Sequence, residues 1–246
     1  MIRFLKILLI LFLLIQLPKN ASSLTSSSYL IANAAISLFD YETAANNFYN
    51  DNFSDFNITE QRRKIISFIN SNRLEDAKSI ANQAIKFNDS IEEVWLVLLT
   101  FAKLKNDLQI INNFEMLSNK DEFKTIEYIF YNNGQLQKNN ELIAARLFNF
   151  LQTTNSLNLN YPENIDYYLF YLNLALNFKP QFNEVLFIKA RVYQELKYYL
   201  KADEIYNKIH PKHALYVEAQ KNIILNKKNN KKFNEAEKLL IKLIYL

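Results

Sequence analysis

Hydrophobic positions in this chain recur at intervals of three and four, the spacing of one helix face, and the pattern itself repeats. FDYETAANNF (39–48), NRLEDAKSIA (72–81), KYYLKADEIY (197–206) and KKFNEAEKLL (231–240) align on Ala44, Ala77, Ala202 and Ala236. Three residues before each alanine stand Tyr41, Leu74, Tyr199 and Phe233, and four after it stand Phe48, Ala81, Tyr206 and Leu240. All three positions share a helix face, so the small residue lets a neighbouring helix approach closely while the large ones fill the space beside it. Ala44 and Ala77 are 33 residues apart, and Ala202 and Ala236 are 34 apart, lengths that accommodate one helical hairpin per repeat. A single hairpin cannot bury its own apolar face, so a fixed period of this length predicts stacked hairpins with a continuous core.

These residues resemble the tetratricopeptide repeat, a 34-residue helix-turn-helix unit. The fullest match is Asn183 to about Tyr216, with Ala190, Tyr193, Tyr199, Ala202 and Tyr206 at the small and aromatic positions. Ala175 and Pro180 match the alanine and closing proline of the unit before it, and the proline falls where a helix must stop. A first unit has Ala32, Ala35, Tyr41, Ala44 and Phe48, and a second has Phe68, Leu74, Ala77, Ala81 and Ala84. A third opens with Trp95, but Ile111 and Glu115 stand where alanine and an aromatic residue are expected. From about 106 to 163 the pattern is degenerate: Ala144 and Ala145 are present, and 153–163 reads as a longer connection. The resemblance implies an all-α, right-handed superhelical solenoid of antiparallel hairpins over residues 24–246.

Composition agrees with long helices. Half of the 246 residues are hydrophobic, 22% are charged, and there is one glycine, Gly134, with four prolines. So little glycine removes the usual punctuation of tight β-turns and leaves Asn and Asp to end helices. Residues 1–23 differ from the rest. Arg3 and Lys6 precede the apolar run from Ile7 to Leu17, followed by Pro18 and Ala21-Ser22-Ser23, the order of a cleaved secretory signal peptide. An apolar run this short is poorly matched to a membrane span of about 20 residues. The expected location is therefore the bacterial periplasm, with an inner-membrane anchor through an uncleaved N-terminus as the alternative. Removing that segment leaves 26 Lys and Arg against 25 Asp and Glu, so no general basic field attracts nucleic acid.

The residue types of most enzymes are missing. Without cysteine and with two histidines, thiol catalysis and multi-histidine metal cages are excluded, and one glycine cannot build a phosphate cradle or a dinucleotide fingerprint. His210 and His213 are expected in a turn, meeting helix-end carbonyls. The adjacent carboxylates Glu92-Glu93 and Asp203-Glu204 diverge by about 100° on a helix and read as solvated faces. Lys227, Lys228, Lys231 and Lys232 read as a solvated loop between hairpins. No catalytic residue, cofactor or metal is expected.

What remains is binding, and here the resemblance supplies the candidates. In tetratricopeptide solenoids the inner surface is built from the first helix of each hairpin and receives peptides or proteins. By position, the corresponding residues are Tyr29 and Asn33, Arg62, and Phe187, Arg191 and Gln194. Tyr29 stands where the members that clamp a terminal carboxylate carry lysine. The expected role is a non-catalytic protein-protein interaction scaffold of the cell envelope. The alternative is the helical-repeat part of a larger multidomain enzyme or envelope assembly factor. The stretch 233–246 reads as an amphipathic helix that becomes almost wholly apolar toward its end, and that edge is expected to dock on further chain, on a second copy or on a partner.

Overall fold

The computed structural model describes residues 23–49, 57–88, 90–117, 123–153 and 162–245. The chain is all-α, with thirteen helices and one very short β-hairpin among these residues. Nearly all of the proposed signal peptide, residues 1–22, lies outside them. No described helix is long and apolar enough to cross a membrane. The chain divides into two units, residues 1–55 and 56–246.

In the first unit, α1 (Ser23–Ser37) and α2 (Tyr41–Tyr49) form a hairpin. Ala32, Ala35, Ala44 and Ala45 let the two backbones approach, and Tyr41 and Phe48 close the interface at 1% and 2% exposure. Asp40 Oδ1 accepts the Thr43 N–H at 3.2 Å and so satisfies a donor that the start of α2 leaves free.

The second unit begins with α3 (Ile58–Asn70) and α4 (Leu74–Ala84), then α5 (Glu92–Lys105) and α6 (Leu108–Glu115). It continues through α7 (Lys124–Phe130), the strands β1 (Tyr131–Asn132) and β2 (Gln135–Leu136), and α8 (Asn140–Thr153). It ends with α9 (Pro162–Phe178), α10 (Asn183–Glu195), α11 (Tyr199–Tyr206), α12 (Tyr216–Asn229) and α13 (Phe233–Ile244). Most successive helices pack on each other, as stacked hairpins require, but α7 packs on α5 as well as on α8, and α9 also packs against α5 and α3, roughly 70 and 100 residues earlier. Pure nearest-neighbour stacking does not make that contact.

One turn geometry accounts for the phase of the alanines. Phe39, Asn72, Lys197 and Lys231 all have positive φ, from 53° to 64°, and each lies five residues before its alanine. In every case the next residue's N–H returns to a carbonyl five residues back: Asp40 to Ala35, Arg73 to Phe68, Tyr198 to Tyr193 and Lys232 to Lys227. This left-handed cap satisfies the carbonyls orphaned at the end of the first helix and aims the second helix back along it. Asn106 (φ 57°) repeats it, with the Asp107 N–H on the Ala102 carbonyl, so α6 starts in the same register with Ile111 in the alanine place. Ile111 is buried, and Phe114, one residue before the exposed Glu115, fills the core beside Trp95 at a ring distance of 5.2 Å. The third hairpin thus keeps the geometry and changes the side chains. Ala44, Ala77 and Ala202 are fully buried and Ala236 is 8% exposed.

Gly134 belongs to the turn of the one β-hairpin among the described residues. Asn133 and Gly134 both have positive φ and join Tyr131 and Asn132 to Leu136 and Gln135. Two left-handed residues in succession are what a two-residue hairpin turn demands, and Asn-Gly is its commonest sequence.

Candidate functional site

Three polar clusters occupy the second unit. The first is a seam along α9, where that helix meets α3 and α5. Arg62 Nε lies 3.0 Å from Glu93 Oε2, and the Tyr171 hydroxyl donates to Glu92 Oε1 at 3.2 Å. Burial raises the Glu92 carboxyl above the ordinary range, and the Tyr171 hydrogen bond opposes that shift. The Tyr167 hydroxyl is pushed up to about 12, first by burial and then by the Glu93 charge. Further along, Asn70 Nδ2 donates to the Asp166 carbonyl at 3.1 Å, and Asn173 Nδ2 donates to Asn70 Oδ1 at 2.9 Å. Lys189 Nζ then donates to Asn173 Oδ1. This directed chain of three bonds ties α10 to α9 and α9 to α3, and the buried amides are satisfied mainly by one another.

The second cluster lies on the other side of α10. The Tyr206 hydroxyl donates to Gln194 Oε1 at 2.8 Å, and Gln194 Nε2 is 3.5 Å from Asn222 Oδ1 on α12. Arg191 is exposed close by, and its charge opposes the upward shift that burial imposes on the Tyr168 and Tyr206 hydroxyls. The third cluster joins the last hairpins. Asn226 Nδ2 donates to Asp203 Oδ1 at 2.7 Å, and Lys227 Nζ reaches Asp203 Oδ2 at 3.2 Å and Glu235 at 3.5 Å.

The residues carried over by resemblance separate in this geometry. Tyr29 and Asn33 lie in the first unit, where Asn33 Nδ2 donates to the Tyr29 carbonyl at 2.9 Å and the Tyr29 ring sits 6.5 Å from Phe48. Arg62 belongs to the α9 seam, paired with Glu93. Phe187 is 8% exposed and edge-on to Tyr206 at 5.5 Å, a core position. Arg191 and Gln194 fall together on the accessible side of α10, with Asn222 extending the row.

Several readings of charged residues change. Glu93 and Asp203 are not on solvated faces: both are buried, because a partner from another helix meets each carboxylate, Arg62 on α3 for Glu93 and Asn226 with Lys227 on α12 for Asp203. Lys227 is not loop but lies in the last turn of α12, where it spans two acids. His210 and His213 accept the Lys212 and Leu215 N–H groups, both at 3.2 Å, rather than meeting carbonyls, and His213 Nε2 lies 3.4 Å from Glu184. Among the described residues, no three His, Cys, Asp or Glu side chains form a group able to hold a metal ion. On α13, Phe233, Leu240, Ile241 and Ile244 are exposed and only Ala236 is buried, and Tyr245 just after the helix is exposed too.

No protein-family model matches this chain, and no curated protein is found as its relative.

Proposed function

We propose that the chain is a non-catalytic protein-interaction scaffold of the bacterial envelope. In this reading it is exported on residues 1–23, folds as a tetratricopeptide-like solenoid and holds a peptide or protein on the first helices of its hairpins. The observation that carries the reading is the hairpin turn repeated at Asn72, Asn106, Lys197 and Lys231, because within the second unit a shared turn register favours successive first helices side by side; the hairpin of the first unit has the same turn at Phe39. The contact surface is the row formed by Arg191, Gln194 and Asn222. An arginine on a rigid helix grips carboxylates in bidentate fashion, and amides beside it supply donors and acceptors for a peptide backbone. Phe187 supports that surface from beneath.

In-cell crosslinking followed by capture with the full chain tests the proposal. The pair Arg191→Ala and Gln194→Ala, with Phe187 left in place, is expected to lose the captured partner at unchanged helical circular dichroism. Capture by the double variant equal to that of the parent removes the α10 surface from consideration.

A further inference from the structure

A cavity of about 190 Å3 lies where α9, α10 and the end of α11 meet the turn after α3. Its polar lining is Lys189 and Lys208 with Asn72, Asn173 and Asn177. Leu176, Leu186 and Ile205 line the apolar part. The volume corresponds to roughly six waters, enough for an acid of about two to four carbons. Lys189 and Arg191 are two residues apart on α10, about 200° around the helix, so this cavity is separate from the proposed partner surface.

Lys189 is the unusual group. It is 8% exposed, one of its N–H groups goes to Asn173 Oδ1, and the charged side chains acting on it, Lys201 and Lys208, are both cations. Burial and, after it, these like charges lower its pKa from an ordinary 10.5 to about 7. At neutral pH a large share of the side chain is therefore free amine, whose lone pair is the nucleophile that an ordinary lysine withholds by protonation. The hydrogen bond to Asn173 uses an N–H and leaves that lone pair available. Lys208, exposed at the rim, offers a positive charge that has no carboxylate within ion-pair distance among the described residues.

We propose that this cavity captures a small oxo acid covalently, its carbonyl carbon on Lys189 Nζ and its carboxylate at Lys208. The amine lone pair attacks the carbonyl carbon, and the carbonyl oxygen becomes the hydroxyl of a carbinolamine. Loss of that hydroxyl with a proton from nitrogen releases one water and leaves a C=N bond, with no oxidant or reductant consumed. The carboxylate brings the counter-charge that the lysine-lined cavity lacks, which favours oxo acids over neutral aldehydes.

The test is reductive trapping on the full chain with glyoxylate and cyanoborohydride at pH 7, followed by digestion and mass mapping. Lys189 is expected to label at least about 10-fold faster than exposed lysines. Its rate should rise only about 2-fold between pH 7 and pH 9, against about 100-fold for an ordinary lysine. Lys208→Gln should slow glyoxylate labelling about 5-fold and leave labelling by propionaldehyde unchanged. Lys189→Met, checked for unchanged helical circular dichroism, should remove the fast site. A lysine that only ties α10 to α9 would be shielded, so an unlabelled Lys189, or one labelling at the rate of exposed lysines, overturns the proposal. Equal labelling by glyoxylate in the parent and in Lys208→Gln overturns the role given to the carboxylate.

Discussion

The α10–α11 hairpin and the α9 seam are neighbours held together by opposite means. In the hairpin, the contacts join residues fewer than twenty positions apart: Phe187 with Tyr206 across the turn at Lys197, and Ala190 and Ala202 both fully buried. In the seam, the contacts among α3, α5 and α9 cross 31 to 103 positions, and the groups that meet are an arginine, two glutamates, two asparagines and a tyrosine, with Lys189 of α10 joined to the second asparagine. Local apolar contacts need only the helix period and a turn. The bonds between α9 and the earlier helices require the chain from α3 to α9 to be in place before they can form. A repeat register therefore builds the hairpins, and a non-repeating polar lock fixes how α9 sits against the earlier hairpins.

The largest expected effect comes from the hairpin side. Phe187→Ala should cost about 3–5 kcal/mol, the usual cost of emptying a buried aromatic site, and should be read by denaturant unfolding. Arg191→Ala, exposed on the same helix, should cost less than about 0.5 kcal/mol. Similar losses for the two would mean that Phe187 is not a core residue. Asn173→Ala strikes the lock: it strands Asn70 Oδ1 and a Lys189 N–H in the interior at about 2–4 kcal/mol in total. Hydrogen exchange should then accelerate in α3 and α9 while α12 and α13 keep their protection. A uniform acceleration over the whole second unit would dissolve the distinction between lock and stack.

Both regions were written in the sequence, but only one in a form that can be read locally. Ala44, Ala77, Ala202 and Ala236 are legible because a helix face repeats every three or four residues and a turn of fixed length carries the phase forward. Ile111 marks the edge of that legibility: the turn at Asn106 preserves the phase, and the side-chain pattern hides it. Asn133-Gly134 carried a readable hairpin signal that a wholly helical reading passed over. Glu93, Asp203 and Lys227 look solvated in the sequence because charge alone does not reveal a partner on another helix. Asn70, Asn173 and Lys189 gave no local sign, since a polar residue in a helix reads as surface until a second helix is laid against it. Among the partner-binding candidates, position in a repeat placed Arg191 and Gln194 on an open side but could not tell Phe187 from a surface aromatic.

The lock also carries a pH signature that the hairpins lack. Lys189 binds a proton less readily in the folded chain than unfolded, its pKa falling from 10.5 to about 7. Between those values the unfolded state holds more protons, so stability rises with pH across that window, and the penalty is at its full size below pH 7. From pH 7 to 9 the gain should approach about 1 kcal/mol per pH unit. Above about pH 10 the trend reverses, because burial raises the hydroxyls of Tyr171 and Tyr193 and the unfolded chain loses those protons first. Lys189→Met should flatten the rise between pH 7 and 9 and leave the decline above it. A parent chain with no rise across that window would place a charged, not a neutral, Lys189 in the fold.

The smallest effect tests the turn on which the hairpins depend. Lys197 and Lys231 hold φ near 60° without being glycine, a conformation that costs an ordinary side chain about 1–2 kcal/mol. Glycine relieves that strain but adds freedom to the unfolded chain, so Lys197→Gly and Lys231→Gly should each stabilise by about 0.5–1 kcal/mol. Asn72→Gly should gain less, because asparagine already tolerates the left-handed region. Neither lysine is in the α9 seam, so both gains should persist unchanged in Asn173→Ala. Additivity of that kind follows if turn and lock are independent devices. A glycine that destabilises at 197 or 231 would show that the backbone there does not hold the left-handed cap, and the common register of the hairpins would lose its physical cause.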